Sequence, residues 1–459
     1  MLPFVILVVL LVGVSTILWS SIGLIRVIAS WTTRGTGNEV QPRHPETKDV
    51  AVIIAAHNEE MVIGGTLRSL EKLMPASNIY VVSDGSSDRT VDIVRAEGVN
   101  VLDLHPNRGK AGAIVEVLDY YDIPERYEVV LLLDADTQLT PNYFESGLPL
   151  FADDDVVAVA GRASTLTKPR PSTAVGRILV SYRNRVYIAM QYLFKFGQAA
   201  KYVNVVAIVP GFASMYRTRI LSSINIDAPD LKIEDYNMTF EVHAKKLGRI
   251  AFHPHAAIAL TQDPDHFDDY LKQVERWNLG FWQTVIRHRV RFSKFWLALS
   301  LFIVELMISS VLLILLVPAL AVTLMATVIV GLGLDESGTA QILMDLLPPT
   351  LLILGIFIPD YALTILAAIV ARKPQYLLMG FVFPLFRVVD AFLCVRGLVG
   401  ALTLPASHGT WKSPPRRGTE ITAFERPRAL ESFDTVESKV PAGSSVSAGS
   451  SVSAGSRVG

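Results

Sequence analysis

The chain has 459 residues, 51% of them apolar, a mean hydropathy of +0.38 and a formal net charge of −1. That hydropathy is high for a soluble protein, the net charge hides strong local asymmetry, no nucleic-acid partner is expected, and a single cysteine, Cys394, excludes an intramolecular disulfide framework. The length leaves room for two or three domains.

Residues 3–25 carry no charge, a run long enough to span a bilayer. Residues 1–30 are therefore expected to form one transmembrane helix. A signal peptide is the competing reading, but the basic leader and the small-residue cleavage site it needs are missing. A polar linker follows over 31–47. Residues 48–294 then read as an α/β domain. Apolar runs at 50–55, 79–82 and 129–133 have strand length and β-branched content, and helical stretches such as 62–73 and 89–97 separate them. Strands alternating with helices imply a mostly parallel, Rossmann-like sheet covered on both faces. Ligands of such sheets bind beyond the carboxyl ends of the strands. Three polar clusters stand there: His57-Asn58-Glu59, Ser83-Asp84-Gly85 and Asp134-Ala135-Asp136.

Residues 168–202 hold seven Lys or Arg and no Asp or Glu, with apolar residues at helical spacing. The pattern predicts a helix lying at an anionic membrane surface with a basic outer face. Two apolar blocks follow, 295–334 and 342–371. Arg287, Arg289, Arg291 and Lys294 precede the first, and Arg372-Lys373 follow the second. By the positive-inside rule these flanks, the α/β domain and the C-terminus lie on the cytoplasmic side of a multi-pass plasma-membrane protein. Pro318 is a candidate break in the first block. Trp282 and Trp296 read as interfacial anchors. Residues 376–404 are apolar but contain Arg387, Asp390 and Arg396, costly at a bilayer centre, so a second interfacial helix is expected. It completes a helical membrane domain over 295–404, in which Cys394 is inert packing. The tail, 419–459, ends in a low-complexity repeat and is expected to be disordered.

The chemistry resides in short clusters. Two carboxylates in Asp134-Ala135-Asp136, at the end of a strand, are costly together unless a cation lies between them. Hard oxygen ligands suit Mg2+ or Mn2+ bridging a diphosphate. The plainer alternative is a helix cap. Asp84 can accept hydrogen bonds from a nucleobase or ribose, with His57 and Glu59 lining the same pocket, whereas Asp88 reads as a cap of the next helix. Lys110, in Asn107-Arg108-Gly109-Lys110-Ala111-Gly112, fits a phosphate or uracil contact. The GxxxxGK[ST] spacing is absent, which argues against an NTPase. Adjacent carboxylates Glu234 and Asp235 raise one another's pKa, which suits a general base, assigned to Asp235. In Gln273-Val274-Glu275-Arg276-Trp277, Arg276 is placed to contact pyrophosphate and Trp277 to stack on a sugar.

These motifs, in this order over roughly residues 48 to 418, resemble the processive membrane glycosyltransferases of family 2, which include cellulose, hyaluronan and poly-N-acetylglucosamine synthases. The resemblance implies a GT-A domain and a UDP-sugar donor, UDP-GlcNAc first and UDP-glucose second. Ala56, His57 and Glu59 resemble its first nucleotide-binding strand end, Asp84 its uridine-contacting aspartate and Lys110 its nucleotide-binding lysine. Asp134 and Asp136 resemble the metal-binding pair, and Gly211, Phe212 and Ser214 belong to a segment like the acceptor loop. Asp235 resembles the catalytic base beside Glu234, and Gln273, Arg276 and Trp277 the motif that cradles pyrophosphate and acceptor. Residues 405–418, with Trp411, Arg416 and Arg417, look like the gating loop. The partners implied are a nucleotide-sugar donor, a growing polysaccharide and the lipid membrane. One departure is Thr261-Gln262-Asp263-Pro264, where many relatives have Thr-Glu-x-Pro. The alternative activity is a non-processive transferase that glycosylates a lipid or other membrane acceptor.

Overall fold

The structure, a computed structural model, describes residues 2–33 and 43–403. In place of one helix over 1–30 there are two, α1 (Leu2–Val12) and α2 (Val14–Thr33), bent by 71° at Gly13. Gly13 has φ +85°, a conformation that glycine adopts without a Cβ penalty. The break exposes the first N–H groups of α2, and Ser15 N–H donates to both carboxylate oxygens of Glu305 at 3.1 and 3.0 Å.

The expected strands form, each slightly longer than its apolar run: β1 (Val50–Ala56), β2 (Ile79–Asp84), β3 (Asn100–Leu104) and β4 (Val129–Asp134). Six short strands join them: β5 (Gln138–Leu139), β6 (Val156–Val159), β7 (Arg162–Thr165), β8 (Ala213–Arg217), β9 (Arg249–Ala251) and β10 (Ile258–Thr261). The main sheet has seven strands in the order β3-β2-β1-β4-β8-β6-β9, and only β8 runs against the rest. A small sheet, β5-β10-β7, stands beside it. β1 is buried on both faces: Ala51, Ile53 and Ala55 enter one core, and Val50, Val52, Ile54 and Ala56 the other. Helices α3 (Ile63–Leu70) and α4 (Thr90–Ala96) close the second core, and α5 (Gly109–Tyr120) closes the first. The α/β fold and its mostly parallel sheet are thus as expected.

The basic stretch at 168–202 forms α6 (Ala174–Ala189), a π-helical turn Met190–Lys195 and a short turn Phe196–Gln198. Its outward basic face is not found. Arg183 and Arg185 are each only 3% exposed, while apolar Val175 and Met190 face outward. Arg183 pairs with Asp263 at 3.3 Å and Arg185 with Asp360 at 2.8 Å. A buried charge needs such a partner, and these partners come from distant segments.

Helix α7 (Glu234–Ala244) covers the first core, and α8 (Phe267–His288) leads from the domain to α9 (Lys294–Gly331). Pro318 does not divide α9, which continues for 38 residues. Next come α10 (Thr339–Leu346), α11 (Pro349–Ala371) and α12 (Phe383–Thr403). Two helical stretches are long and apolar enough to cross a membrane, Lys294–Gly331 and Thr339–Ala371, and the bent α1–α2 pair makes a third if it counts as one span. In α12, Asp390 accepts hydrogen bonds from Tyr182 at 2.7 Å and from Tyr270, while Arg396 reaches outward to Glu275 at 3.1 Å. Trp282 and Trp296 do not stand at an interface. Both are buried with Trp19, Phe240, Phe281, Phe295 and Cys394, and the Trp282 indole donates to the Cys394 carbonyl at 3.1 Å. The segments expected at 405–418, with Trp411, Arg416 and Arg417, and at 419–459 lie outside the described residues.

Candidate active site

Strands β1, β2 and β4 end level with one another: Ala55 lies beside Val82 on one side and Asp134 on the other. The polar residues that follow therefore share one edge of the sheet. They divide into two groups. Asp84 is fully buried, and its oxygens accept from the backbone N–H groups of Arg108 at 2.6 Å and Gly109 at 2.8 Å. It fixes the start of α5. His57 bonds through Nδ1 to the Asp84 carbonyl at 2.7 Å, and the Glu59 N–H donates to Thr90 at 2.9 Å. Asp88 accepts from Thr90 N–H at 3.0 Å and so caps α4, as expected. Ala56, His57, Glu59 and Asp84 support the edge from behind and do not line the cavity beside it. Ser214 also lies behind, accepting from Gly161 N–H at 3.1 Å.

The second group lines one cavity of about 1370 Å3: Lys110, Asp134, Asp136, Gly211, Phe212, Glu234, Asp235, Gln273, Arg276 and Trp277. The Lys110 ammonium bridges Asp134 at 2.8 Å and Glu234 at 2.9 Å, tying the end of β4 to the first turn of α7. Burial opposes its charge, but the two carboxylates outweigh burial and hold Lys110 well above its usual range. Asp235 accepts from Gly211 N–H at 3.2 Å through Oδ2, and among the described residues Oδ1 has no hydrogen-bond partner. Burial and then Glu234 push its carboxyl up to about 7, against Lys110, which lowers it. A carboxyl that titrates there and keeps an open oxygen in a cavity can take a proton from a bound hydroxyl.

Thr239 brings the loop before β8 onto α7, donating to the Asp235 carbonyl at 2.8 Å and accepting from Val209 N–H at 2.9 Å. Gly211 leaves little room there. A Cβ would lie 3.1 Å from Glu234 Oε1 and 3.2 Å from the Asp235 Cβ. Gly211→Ala is expected to displace the carboxylates by a few tenths of an ångström and to lower turnover about tenfold with little change in melting temperature. A steady-state assay beside a thermal melt checks this.

Gln273, Arg276 and Trp277 share one face of α8, as their spacing of three and four requires. Gln273 Oε1 is buried with no hydrogen-bond partner among the described residues, and Arg276 is exposed in the cavity. Trp277 stacks on Arg183, whose guanidinium lies 4.2 Å from the ring centroid. Arg183 also meets Tyr187 at 3.0 Å, and Asp263 accepts from Tyr187 at 2.8 Å and from Thr165 at 2.7 Å. Asp263 of the Thr-Gln-Asp-Pro departure thus anchors the plane of the tryptophan. Sequence reasoning missed Arg183, and its only signal was a base in a helix otherwise apolar enough to be buried. Lys195 was missed too. It ends the π-turn, lines the cavity, and is lowered to about 8 by burial, with Asp235 acting in the opposite direction.

From Trp277 the cavity runs on between the apolar helices, past Arg185, Arg387, Asp390 and Glu305, to Leu11 and Leu313. Such a space exceeds the several hundred cubic ångströms of an ordinary small-ligand pocket. For a metal, Asp134 and Asp136 are the carboxylates at the edge. Among the described residues no group of three or more His, Cys, Asp or Glu encloses an ion. Two carboxylates on an open edge fit a hard cation whose other positions are taken by phosphate oxygens and water.

A sequence profile of glycosyltransferase like family 2 matches residues 45–280. A probable glycosyltransferase of Bacillus subtilis, YdaM, is 30% identical over 262 residues, 54% of this chain and 59% of that protein. A poly-beta-1,6-N-acetyl-D-glucosamine synthase of Staphylococcus epidermidis is 24% identical over 262 residues, 54% of this chain and 60% of that protein. The chain thus spans about three-fifths of the length of these curated relatives. Among solved structures, a mannosyltransferase of Pyrobaculum calidifontis in complex with GDP-Man and Mn2+ is similar over 86% of this chain and 99% of that one, with 15% identity and a TM-score of 0.45.

Proposed function

The chain belongs to glycosyltransferase like family 2, and from that membership we propose an inverting transferase that moves a sugar from a UDP-sugar to a hydroxyl of a growing β-linked polysaccharide at a membrane. The observation that carries the reading is the single cavity, with carboxylates and Lys110 at one end, Trp277 between, and apolar helices at the other. UDP-GlcNAc is the first donor and UDP-glucose the second. The likeness to a poly-N-acetylglucosamine synthase supports the first.

In this reading Asp235 takes the proton of the acceptor hydroxyl. The freed oxygen attacks the anomeric carbon on the face opposite UDP. The new C–O bond forms as the bond to the β-phosphate oxygen breaks, and the electron pair leaves with UDP. Glu234 orients Lys110, and Lys110 with Arg276 faces the departing diphosphate. Trp277 offers its face to the acceptor sugar, held flat by Arg183, and Gly211 and Phe212 form the floor. Gln273 presents its carbonyl oxygen to a hydroxyl of a bound sugar. Ala56, His57, Glu59 and Asp84 stand behind the sheet edge on which a nucleoside would rest, and fix its shape. Asp136 and Asp134 would hold Mg2+ or Mn2+, which when bound neutralises charge on the diphosphate.

In this reading the apolar helices hold the catalytic domain at a plasma membrane, a role that their length and composition support. The basic flanks at 287–294 and 372–373 support a cytoplasmic side for that domain and the C-terminus. The polymer would enter the helical end of the cavity. One observation favours the second reading, transfer to a lipid: the same end is walled by Val8, Leu11, Leu313 and Leu363, which suit an acyl chain. Product length decides between the two. With purified protein in detergent, a divalent cation and a panel of radiolabelled UDP-sugars, we expect a high-molecular-weight ladder from one donor and none without the cation. A single transfer to added lipid would replace the polymer reading with the lipid one. Release of UDP by hydrolysis alone would overturn both.

A further inference from the structure

Four side chains able to carry positive charge gather where α2 meets the domain: Arg26, Arg162, His253 and His255. Aromatic rings link them. The Arg26 guanidinium lies 4.2 Å from the Phe196 centroid and donates to the Phe196 carbonyl. Phe196 meets His253 at 5.6 Å, and His253 meets His255 at 5.6 Å. His255 meets Tyr192 at 6.0 Å, and Arg162 lies 5.5 Å from that ring.

Among the described residues neither arginine forms an ion pair, and Arg162 Nε is buried without a hydrogen-bond partner. Three other buried cations are matched, Arg183 by Asp263, Arg185 by Asp360 and Lys110 by Asp134. Burial, His255 and Arg26 push His253 down to about 4, and burial and Arg162 lower His255. The two imidazoles are thus held in their neutral form between two guanidiniums that, among the described residues, have no carboxylate beside them, and an arriving anion would meet those guanidiniums and favour protonation of the imidazoles. None of the four lines the active-site cavity. The surroundings indicate what carries the anion. Beside Arg26 on α2, Leu24, Ile25 and Ile28 are 60%, 64% and 48% exposed. A site for a soluble ion has no use for such a border, whereas a headgroup site at the edge of a bilayer does.

We propose that Arg26, Arg162, His253 and His255 bind the phosphate of an anionic lipid headgroup, with its acyl chains lying along Leu24, Ile25 and Ile28. The proposal is independent of the reaction assigned to the active site, because its readout is lipid retention rather than turnover. The full chain, purified in detergent, is offered equal phosphatidylglycerol and phosphatidylcholine, and bound lipid is counted by native mass spectrometry. The wild type is expected to retain phosphatidylglycerol preferentially. Arg26→Gln with Arg162→Gln is expected to lower that preference roughly tenfold, and the two Lys substitutions to keep most of it. Equal retention by the wild type, or an unchanged preference in the Gln variant, overturns the proposal. Displacement of the lipid by inorganic phosphate at matched concentration would assign the site to a free anion and overturn it as well. Hydrogen exchange of the wild type in nanodiscs needs no variant to fold. Phosphatidylglycerol is expected to slow exchange at residues 252–256 relative to phosphatidylcholine, and identical rates count against the site.

Discussion

Asp235→Asn is expected to lower turnover about a thousandfold while changing UDP-sugar affinity by no more than a few fold. The amide oxygen can still accept from Gly211 N–H, which Asp235 meets at 3.2 Å, so the loop stays in place. What is lost is the oxygen without a partner, Oδ1, and its capacity to take a proton. The same carboxyl sets the pH dependence. Burial and Glu234 push it up to about 7, and only the ionised form accepts a proton. Turnover in the wild type is therefore expected to fall about tenfold per pH unit below that value and to level off above it. Initial rates across roughly pH 5.5 to 8.5, with calorimetric binding of the donor, check both statements. A variant with ordinary turnover, or a wild-type rate that stays flat through neutrality, would remove Asp235 from the chemistry.

Arg185→Leu is expected to destabilise the protein by about 3–5 kcal/mol, seen as a melting temperature lower by roughly ten degrees in detergent. Asp360 is fully buried in α11, and Arg185 meets it at 2.8 Å through Oδ2 and donates to its carbonyl at 3.0 Å. Among the described residues its other carboxylate oxygen has no hydrogen-bond partner, and Arg387 lies 3.8 Å from it. Removing Arg185 strands a carboxylate among apolar helices, where charge is costly. Arg185→Leu with Asp360→Leu should recover more than half of the loss, because removing both charges leaves nothing to compensate. A single variant that melts like the wild type, or a double variant no better than the single, would show that the pair is not what holds α6 to α11.

The strands were legible wherever an apolar run ended on an acid, because a parallel sheet buries the run and frees its carboxyl end. That logic located Asp84 and Asp134, and helical spacing placed Gln273, Arg276 and Trp277 on one face. It did not tell an acid that lines the cavity from one that caps a helix. Asp84 and Asp134 look alike in sequence and differ only in what backbone lies beside them. The arginines of α6 were misread for a related reason. Read locally, alternating bases on a helix signify a wet face, yet Arg185 and Asp360 are 175 residues apart, and Arg183 and Asp263 are 80 apart. The break at Gly13 was hidden in the same way, since the carboxylate that stabilises it lies 290 residues further on.

The aromatic cluster of Trp19, Phe240, Phe281, Trp282, Phe295 and Trp296 has a consequence for how this protein can be divided. Composition changes abruptly near residue 294, but packing does not. The cluster draws on α2, α7, α8 and α9, and the described residues fall in one compact unit. A cut at 294 would uncover rings on both fragments, and neither would present a closed surface to water. The catalytic half is consequently not a cargo tethered to an anchor. The two parts share one interior, so the α/β domain and the apolar helices are expected to purify only as one piece.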